Sequence, residues 1–571
     1  MLTECVQYSI YTLKKPLFAL YLDAKSAFDV VQRILLVNSL YHVQSLDQSI
    51  LYLDNRLANR ETVVDWGGNL MGPIKDEQGL EQGGCSSSEL YKIFGREQLD
   101  MAQSSRLGVV MGSLTISAIG QADDTVLVSN SIHDLSYLLH LTKIFCSRKL
   151  VDLCADKTKL QAFSKCSLDQ DNPKFEIDHN PIKINDMVIP LSNTAEHVGV
   201  LRSVSGNSAT LLARFAAHRG ALSSVLHTGL ARNHRGNPSS GLKIEKLYAL
   251  PVLLSGISSL VLSKKDLEMI EAHYRETLRK LLRLPSKTPR SVIYFLAGSL
   301  PGDAFVHLRQ LSIFGMISRQ PQNLLHQHAE NLFTAKLISP KSWFNQIRDY
   351  CLMYGLPHPA SLLASPFEKY AFKKLVKKKV IDYWEHKLRD EASSLRSLAF
   401  FFPQYMSLTC THPLFVSAGN SPAKVSMASI QAIMLSGRYR CDALVRHWSP
   451  NITGFCSLSI NCANQLEDIP HILGICSALS PTRSKLYNFT KTKSVTFPDE
   501  VKNFVLNAFQ PSSPDFIQAL LDCSVIPAVI RLSQNCSDDV IAAISEISRT
   551  WIYVIHRERL KLRGQWSRAQ N

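Results

Sequence analysis

The stretch ISAIGQADDTVLVS, residues 116–129, contains two runs of β-forming residues that meet at a pair of aspartates, Asp123 and Asp124. Short apolar runs joined by a tight polar bend are typical of a β-hairpin. Neighbouring carboxylates at such a bend repel each other, and burying them adds to the cost. An exposed surface turn explains an isolated aspartate pair, so the pair alone predicts no function.

A second pattern of this kind lies upstream. LFALYLDA, residues 17–24, is a compact apolar run that ends at Asp23 and predicts a buried strand. If an antiparallel sheet brings the two bends together, three carboxylates converge on one point. Only a cation offsets their repulsion there, and oxygen ligands favour Mg²⁺. Taken together, the two patterns predict a divalent-metal site.

The surrounding segments alternate between helical and turn patterns. Residues 25–45 have helical spacing, residues 72–88 are rich in Gly, Gln and Ser, helices are expected over 88–102 and 132–150, and 151–163 returns to strand character. This order predicts an α+β domain with an antiparallel sheet and helices on one face.

Composition limits the class of protein. The chain has 571 residues and a net charge of +15, with an acidic excess in residues 1–200 and a basic excess after them. That distribution suits a metal centre flanked by a track for a polyanion, and plain solubility explains it equally well. No secretory signal or membrane span is found, and the thirteen cysteines are expected to be reduced thiols or metal ligands inside the cell.

Four motifs then agree in order: LDAKSAFD (22–29), GLEQGGCSSSELY (79–91), GQADD (120–124) and DKTKL (156–160). This run resembles the palm of reverse transcriptases, in particular those of non-LTR (LINE-type) retrotransposons, with their motifs A, B, C and D. The resemblance covers roughly residues 17–200 and continues more loosely into 244–320. It implies a polymerase palm followed by a mostly α-helical thumb and C-terminal region.

The activity implied is an RNA-directed DNA polymerase, which transfers a nucleotide from a dNTP to a DNA primer 3′-hydroxyl on an RNA template. By resemblance, Asp23, Asp123 and Asp124 are the catalytic carboxylates. With the Ala24 carbonyl they would hold two Mg²⁺ ions. Such a protein is expected in the nucleus and cytoplasm, as a ribonucleoprotein and without a membrane partner.

The other motif residues are expected to contact nucleotide and template. Phe28 would exclude the 2′-hydroxyl of a ribonucleotide, and a core position on an amphipathic helix is the alternative. Gln82 and Gly83 match the Gln-Gly of motif B, where a glycine lets the backbone approach closely, although GG and SSS also fit a polar turn. Lys157 would neutralise or protonate the leaving pyrophosphate; a solvated lysine, or Lys159 in that role, is the alternative.

Three departures from the family pattern matter. Gln121 stands where Phe or Tyr is usual, and GGCSS stands where GDPLS is frequent. Motif A begins at residue 20, so the fingers and the endonuclease of the family are expected to be missing and the chain to be truncated before the palm. A catalytically inactive, nucleic-acid-binding remnant is therefore the second hypothesis. A phospho-acceptor signalling domain is a third, which the Gln-Gly loop and the late aspartate pair disfavour.

Toward the C-terminus, Cys456, Cys462, His471 and Cys476 form the pattern C-x5-C-x8-H-x4-C. Three thiolates and an imidazole suit tetrahedral Zn²⁺, and buried cysteines with one satisfied histidine are the alternative. The pattern resembles the C-terminal knuckle of non-LTR elements in its H-x4-C half and in Arg483, while the first cysteine pair is spaced more widely.

Basic residues before and within this region are candidate nucleic-acid contacts. Arg438, Arg440 and Arg446 lie with Tyr439 and Trp448 in SGRYRCDALVRHW, and a solvated basic helix explains them equally. The KKLVKKK run (373–379) is a further phosphate track, nuclear address or solvated helix face. The expected segments are palm 1–200, basic helical thumb or connection 201–330, helical linker 331–435, Cys/His knuckle 436–490 and helical tail 491–571.

Overall fold

The structure is a computed structural model that describes residues 1–43, 47–58, 60–165, 177–225, 236–334, 341–462, 464–535 and 538–564. The chain is mixed α+β, about 59% helical, with small antiparallel sheets. Within the described part of the chain, every helix is too short or too polar to cross a lipid bilayer.

The chain divides into two compact units. The first consists of Met1–Ala213, Ser255–Asp266 and Arg309–Lys374, and the second of Arg214–Leu254, Leu267–Leu308 and Leu375–Asn571. All the described strands belong to the first unit. They are β1 Leu17–Leu22, β2 Arg60–Trp66, β3 Asn69–Asp76, β4 Val109–Met111, β5 Leu114–Ile116, β6 Ala118–Gln121, β7 Asp124–Ser129, β8 Lys159–Phe163, β9 Lys183–Ile184, β10 Met187–Val188, β11 Thr194–His197 and β12 Val200–Ser203.

Most of the remaining chain is helical. Helices of the first unit are Leu2–Tyr8, Arg33–His42, Asp47–Leu57, Ser87–Ser104, Ile132–Lys149, Leu324–Thr334, Trp343–Met353 and Pro359–Ala364. Helices of the second are Pro238–Ile244, Leu250–Leu254, Arg290–Ala297, Pro413–Val416, Pro422–Leu435, Asp442–Val445, Ser480–Ser494, Asp499–Ala508, Phe516–Leu521, Pro527–Asn535 and Asp538–Leu562. Helices whose residues are divided between the two units are Ser208–Val225, Lys264–Leu281, Gly302–Ser318 and Lys369–Ser393.

The four-stranded sheet of the first unit has the order β6-β7-β1-β8, with every pair antiparallel. β1 is central because all of its side chains are apolar, and all six are buried. A strand buried on both faces reads as a continuous apolar run rather than as an alternation. The strand predicted at 17–24 and the hairpin predicted around the aspartates are both present.

Both faces of this sheet are covered. Phe18, Leu20 and Leu127 pack in one core with the helices Ser87–Ser104 and Ile132–Lys149, as the sequence predicts. On the opposite face, Leu17, Ala19 and Tyr21 pack against the helix Leu2–Tyr8 and against β4 and β5. The expectation of helices on a single face was therefore incomplete, because the alternate side chains of β1 are also apolar and require a cover.

Two local expectations differ from the structure. The helical pattern predicted over 25–45 is a series of turns up to residue 30, followed by the helix Arg33–His42. Backbone bonds from Leu80 N–H to the Phe28 carbonyl, and from Gly79 N–H to the Val31 carbonyl, override the local propensity there. The Gly-rich region at 72–88 begins inside the exposed hairpin β2–β3, whose strands pair from Arg60 with Asp76 to Trp66 with Asn69.

Candidate functional site: a carboxylate cluster and a Cys/His cluster

The ladder between β1 and β7 brings the separated aspartates together. Leu22, the last residue of β1, pairs with Thr125, so Asp23, which follows the strand, lies beside Asp124, the first residue of β7. Gln121 pairs with Asp124 across the β6–β7 hairpin, which leaves Ala122 and Asp123 as a two-residue turn. Ala122 has a φ of 55°, a left-handed conformation that costs an alanine about 1 kcal/mol. The turn is therefore held by the strands around it.

Electrostatic repulsion within this carboxylate cluster (Asp23, Asp123 and Asp124) acts on Asp124. Partial burial, and then the charges of Asp123 and Asp23, raise the pKa of Asp124. Asp23 Oδ2 is shielded from solvent and has no hydrogen-bond partner, although the side chain is 39% exposed. The cluster thus contains more negative charge than its protein surroundings compensate.

Hard oxygen donors are the ligands that Mg²⁺ prefers, and Asp23 Oδ2 is a shielded carboxylate oxygen that has no hydrogen-bond partner and lies 3.6 Å from the ammonium of Lys157. The donor set of the carboxylate cluster consists of hard oxygen atoms, which Mg²⁺ shares as ligands with Ca²⁺ and Mn²⁺. The three aspartates do not meet a close-distance criterion for a metal site. Among the described residues, the group of three or more His, Cys, Asp or Glu side chains whose donor atoms all lie within 4.8 Å of one another is the Cys/His cluster.

Asp23 and Ala24 are held by the segment that follows the helix Ile132–Lys149. Cys154 N–H donates to the Asp23 carbonyl, and Lys25 N–H donates to the Asp152 carbonyl. Neither bond uses the carbonyl of Ala24, which was predicted as a backbone ligand. The same segment presents Lys157, whose Nζ lies 3.6 Å from Asp23 Oδ2 and whose side chain is 72% exposed. The lysine predicted from motif D is thus beside the carboxylate predicted from motif A.

Phe28 and the Gln-Gly loop adjoin each other after β1. The Phe28 ring lies 5.0 Å from the Tyr91 ring, centre to centre, and packs partly buried against the core. Gln82 Nε2 donates to Asp29 Oδ1 at 3.3 Å. Gly83 has a φ of 85°, a region that glycine adopts without strain. A glycine is needed at this position for the turn itself, whatever the loop contacts.

Several groups beside the cluster were not predicted from the sequence. The backbone N–H of Val198 donates to the Asp124 carboxylate, and Glu196 adds to the repulsion around it. Both belong to the β11–β12 hairpin, in which His197 pairs with Val200 and the two-residue turn has positive φ at Val198 and Gly199. A glycine in a short turn between β-forming residues is the signal that could have revealed this hairpin.

The Cys/His cluster (Cys456, Cys462, His471 and Cys476) is buried in the second unit. The sulfur of Cys462 lies 3.4 Å from that of Cys456 and 3.9 Å from that of Cys476, and the remaining sulfur pair is 3.8 Å apart. Tetrahedral Zn²⁺ with Zn–S bonds of about 2.3 Å requires sulfurs about 3.8 Å apart. The three thiols therefore have the spacing of a metal site.

The fourth residue of the cluster has a matching unsatisfied atom. His471 Nε2 is buried and without a hydrogen-bond partner. Burial lowers the pKa of His471, which favours the neutral imidazole that binds metals. Arg483, noted for its position after the pattern, donates from Nη2 to the Cys476 carbonyl at 2.6 Å and is itself buried. Its role is to fix the backbone of a cluster residue rather than to face solvent.

The arginine-rich segment before this cluster does not form the basic helix considered from the sequence. Residues 438–441 are irregular, and the helix Asp442–Val445 follows. Arg440 and Arg446 are exposed, whereas Arg438 is half-buried. Tyr439 is buried with its hydroxyl 2.8 Å from His556 Nδ1, so it packs in the core, while Trp448 is exposed. The exposed pair of arginines and Trp448 is the part of this segment available to a ligand.

Comparison of the chain with models of known protein families and with curated proteins finds no match, so the motifs and the geometry described above are the basis for any function assigned to it.

Proposed function

We propose that residues 1–200, which lie in the first unit, are the palm of an RNA-directed DNA polymerase of the non-LTR retrotransposon type. The observation that carries this proposal is the β1–β7 register, which sets Asp23 beside Asp124 with Lys157 next to Asp23. Three residues from three separate sequence motifs meet at one end of a sheet, and the chemistry of nucleotidyl transfer requires those groups together.

In this proposal Asp23, Asp123, Asp124 and the Ala24 carbonyl hold two Mg²⁺ ions. The bound ions supply activation of the primer 3′-hydroxyl and stabilisation of the leaving pyrophosphate. Lys157 donates a proton to, or neutralises, a pyrophosphate oxygen, which its exposed side chain can reach after leaving Asp23. Phe28 excludes the 2′-hydroxyl of a ribonucleotide, and Gln82 hydrogen-bonds the template–nucleotide pair.

The test is primer extension with the full chain, an RNA template, a DNA primer, dNTPs and Mg²⁺. We expect extension by the natural sequence and a fall of roughly a thousand-fold for Asp123→Asn or Asp124→Asn, because a lost metal ligand removes several kcal/mol of transition-state stabilisation. Asp100→Asn is the matched control, since its carboxylate pairs with Arg96 on the surface of the helix Ser87–Ser104.

Equal extension by the natural sequence and Asp123→Asn would refute the catalytic role of the cluster. A different result would favour the alternative function, that of an inactive remnant. If neither protein extends the primer, yet both bind RNA with a steep dependence on salt, the chain is an inactive nucleic-acid-binding remnant of such a polymerase.

We also propose that the Cys/His cluster binds one Zn²⁺, supported by the sulfur spacing and by the unpartnered Nε2 of His471. In a protein of this type the site would shape a nucleic-acid-binding surface, because four protein ligands leave no open position for catalysis.

Metal analysis of protein purified without chelator tests this site. We expect about one Zn²⁺ per chain, retained in Cys410→Ser and lost in Cys476→Ser, because the thiol of Cys410 is exposed and outside the cluster. EDTA should lower the melting temperature, and added Zn²⁺ should restore it. Zinc-free protein whose melting temperature ignores EDTA would contradict the site.

A further inference from the structure

A cavity of about 260 Å³ lies in the first unit beside the helix Leu2–Tyr8, the end of β8 and the end of β12. Its lining shares no residue with the carboxylate cluster. Its polar lining includes Gln7, Lys165, Arg202, Ser203, Ser205 and Asn207. Within the described residues, no aspartate or glutamate lines it. The lining also contains apolar side chains, such as Val6, Ile10 and Phe163. Because its charged side chains are cationic, the cavity favours an anion.

Arg202, on β12, is the central charge of this cavity. Its Nη1 donates to Thr3 Oγ1 at 3.1 Å, while its Nε is shielded from solvent and has no partner. Burial lowers the pKa of the guanidinium, and Tyr21 is the acidic group of the described residues that acts on it. Burial also raises the pKa of Tyr21, so that phenol stays neutral. A shielded guanidinium that no carboxylate pairs is costly, and a bound anion would relieve the cost.

Further donors surround Arg202. Lys165 follows β8 and lies over the Tyr11 ring, 4.1 Å from its centre. The hydroxyls of Ser203 and Ser205 lie 2.8 Å apart at the end of β12. The 18-residue helix Ser208–Val225 begins here with no acidic residue in its first turn. A helix N-terminus supplies free N–H groups and a partial positive charge, both of which stabilise an anion beside a guanidinium.

We propose that this cavity binds a phosphate group, with Arg202 as its principal donor and Lys165 and Ser205 at its mouth. The volume exceeds several times the roughly 30 Å³ that one water occupies, so a phosphate fits with part of its hydration. Inorganic phosphate and the phosphodiester of a polynucleotide share this chemistry. The site is independent of the carboxylate cluster, so its occupancy does not require polymerase activity.

Titration of inorganic phosphate into the full chain, followed by ³¹P NMR, tests the site. We expect saturable line broadening, and binding roughly ten-fold weaker or more in Arg202→Met, because a charge-assisted donor is lost. Ser205→Asp should weaken binding similarly by placing a negative charge at the exposed mouth. Arg96→Met, a surface residue paired with Asp100, is the control and should bind as the natural sequence does.

Thermal unfolding establishes that each variant is folded, and Ser205→Asp decides the outcome if Arg202→Met does not fold. Undiminished phosphate affinity in the folded variants overturns the proposal. A short single-stranded oligonucleotide then distinguishes the sources. If it displaces inorganic phosphate from the natural sequence, the ligand is a backbone phosphodiester; if phosphate stays bound, the site takes a free phosphate or a small ester. Either result supports the phosphate site.

Discussion

Glu467 lies between Cys462 and His471 in sequence and is fully buried in the second unit. Its carboxylate accepts bonds from Arg559 Nη2 at 2.8 Å, from Arg563 Nη2 at 2.7 Å and from the Asp442 N–H at 2.9 Å. One side chain therefore joins the Cys/His loop to the end of the C-terminal helix. Glu467 contributes to stability as the counter-charge of these arginines, since a buried charge without its partner is strongly destabilising.

Glu467→Gln should lower the free energy of unfolding by about 3–5 kcal/mol, because the buried guanidinium of Arg559 loses its counter-charge, while Arg563 keeps its pair with Asp442. Urea unfolding followed by tryptophan fluorescence measures it. Glu558→Gln is the matched control: Glu558 lies 3.8 Å from Lys561 near the surface of the same helix, and exposed pairs contribute about 0.5 kcal/mol or less. Equal losses in the two variants would show that the buried network contributes no more than a surface pair.

Two glycines at helix ends share a left-handed backbone but differ in their surroundings. Gly298 ends the helix Arg290–Ala297 with a φ of 61°, and Gly355 follows the helix Trp343–Met353 with a φ of 60°. The two differ in their surroundings: a Cβ at Gly298 would collide with the backbone of Cys410, whereas a Cβ at Gly355 would meet nothing within 4 Å. Gly298 is therefore required both for its left-handed backbone and for the lack of space, whereas Gly355 is required for its left-handed backbone alone.

Gly355→Ala should therefore cost about 1 kcal/mol of stability, the cost of a left-handed alanine. Gly298→Ala should cost several kcal/mol in total, because the backbone near Cys410 must also move. Chemical denaturation of both variants checks the difference. Similar losses would mean that the Cys410 backbone adjusts without strain.

Elements whose pattern is local were predictable from the sequence. The buried strand β1, the β6–β7 hairpin and the helices Ser87–Ser104 and Ile132–Lys149 follow from apolar runs and periodicity. The hairpin β2–β3 was missed although Gly67 and Gly68 form its turn, because its apolar side chains, such as Trp66, are exposed and give no signal of a buried face. The turns at residues 25–30 were missed because the backbone bonds that fix them come from residues 79–80.

For the molecule as a whole, the resemblance to reverse-transcriptase motifs and the spacing of the Cys/His pattern supplied the candidate site residues but not their neighbours. Asp23 and Asp124 lie side by side because β1 and β7 pair. The sequence could therefore predict their proximity on the condition that these two strands are neighbours in one sheet. The Val198 N–H on Asp124 and the cavity around Arg202 depend on segments far apart in sequence. No local periodicity encodes such contacts, because they arise from tertiary packing.

The net charge of +15 predicts a salt dependence for nucleic-acid binding. If the chain binds RNA or DNA as proposed, the logarithm of the binding constant should fall linearly with the logarithm of salt concentration, because bound counterions are released. If the chain neutralises six to ten phosphates, raising the salt concentration from 50 to 200 mM should weaken binding by roughly 10³–10⁵-fold. Fluorescence anisotropy with a labelled oligonucleotide measures the slope. Binding that is insensitive to salt would contradict a phosphate-directed interaction.

The repulsion of Asp124 by Asp123 and Asp23 has an evolutionary consequence. A carboxylate whose pKa is raised on folding destabilises the folded state, increasingly so as pH rises through its unfolded and then its folded pKa. At neutral pH, a neutral residue at Asp124 would relieve this repulsion, so mutational drift that retained only fold stability would tend to erase the cluster. Folding alone gives the chain no reason to keep all three aspartates.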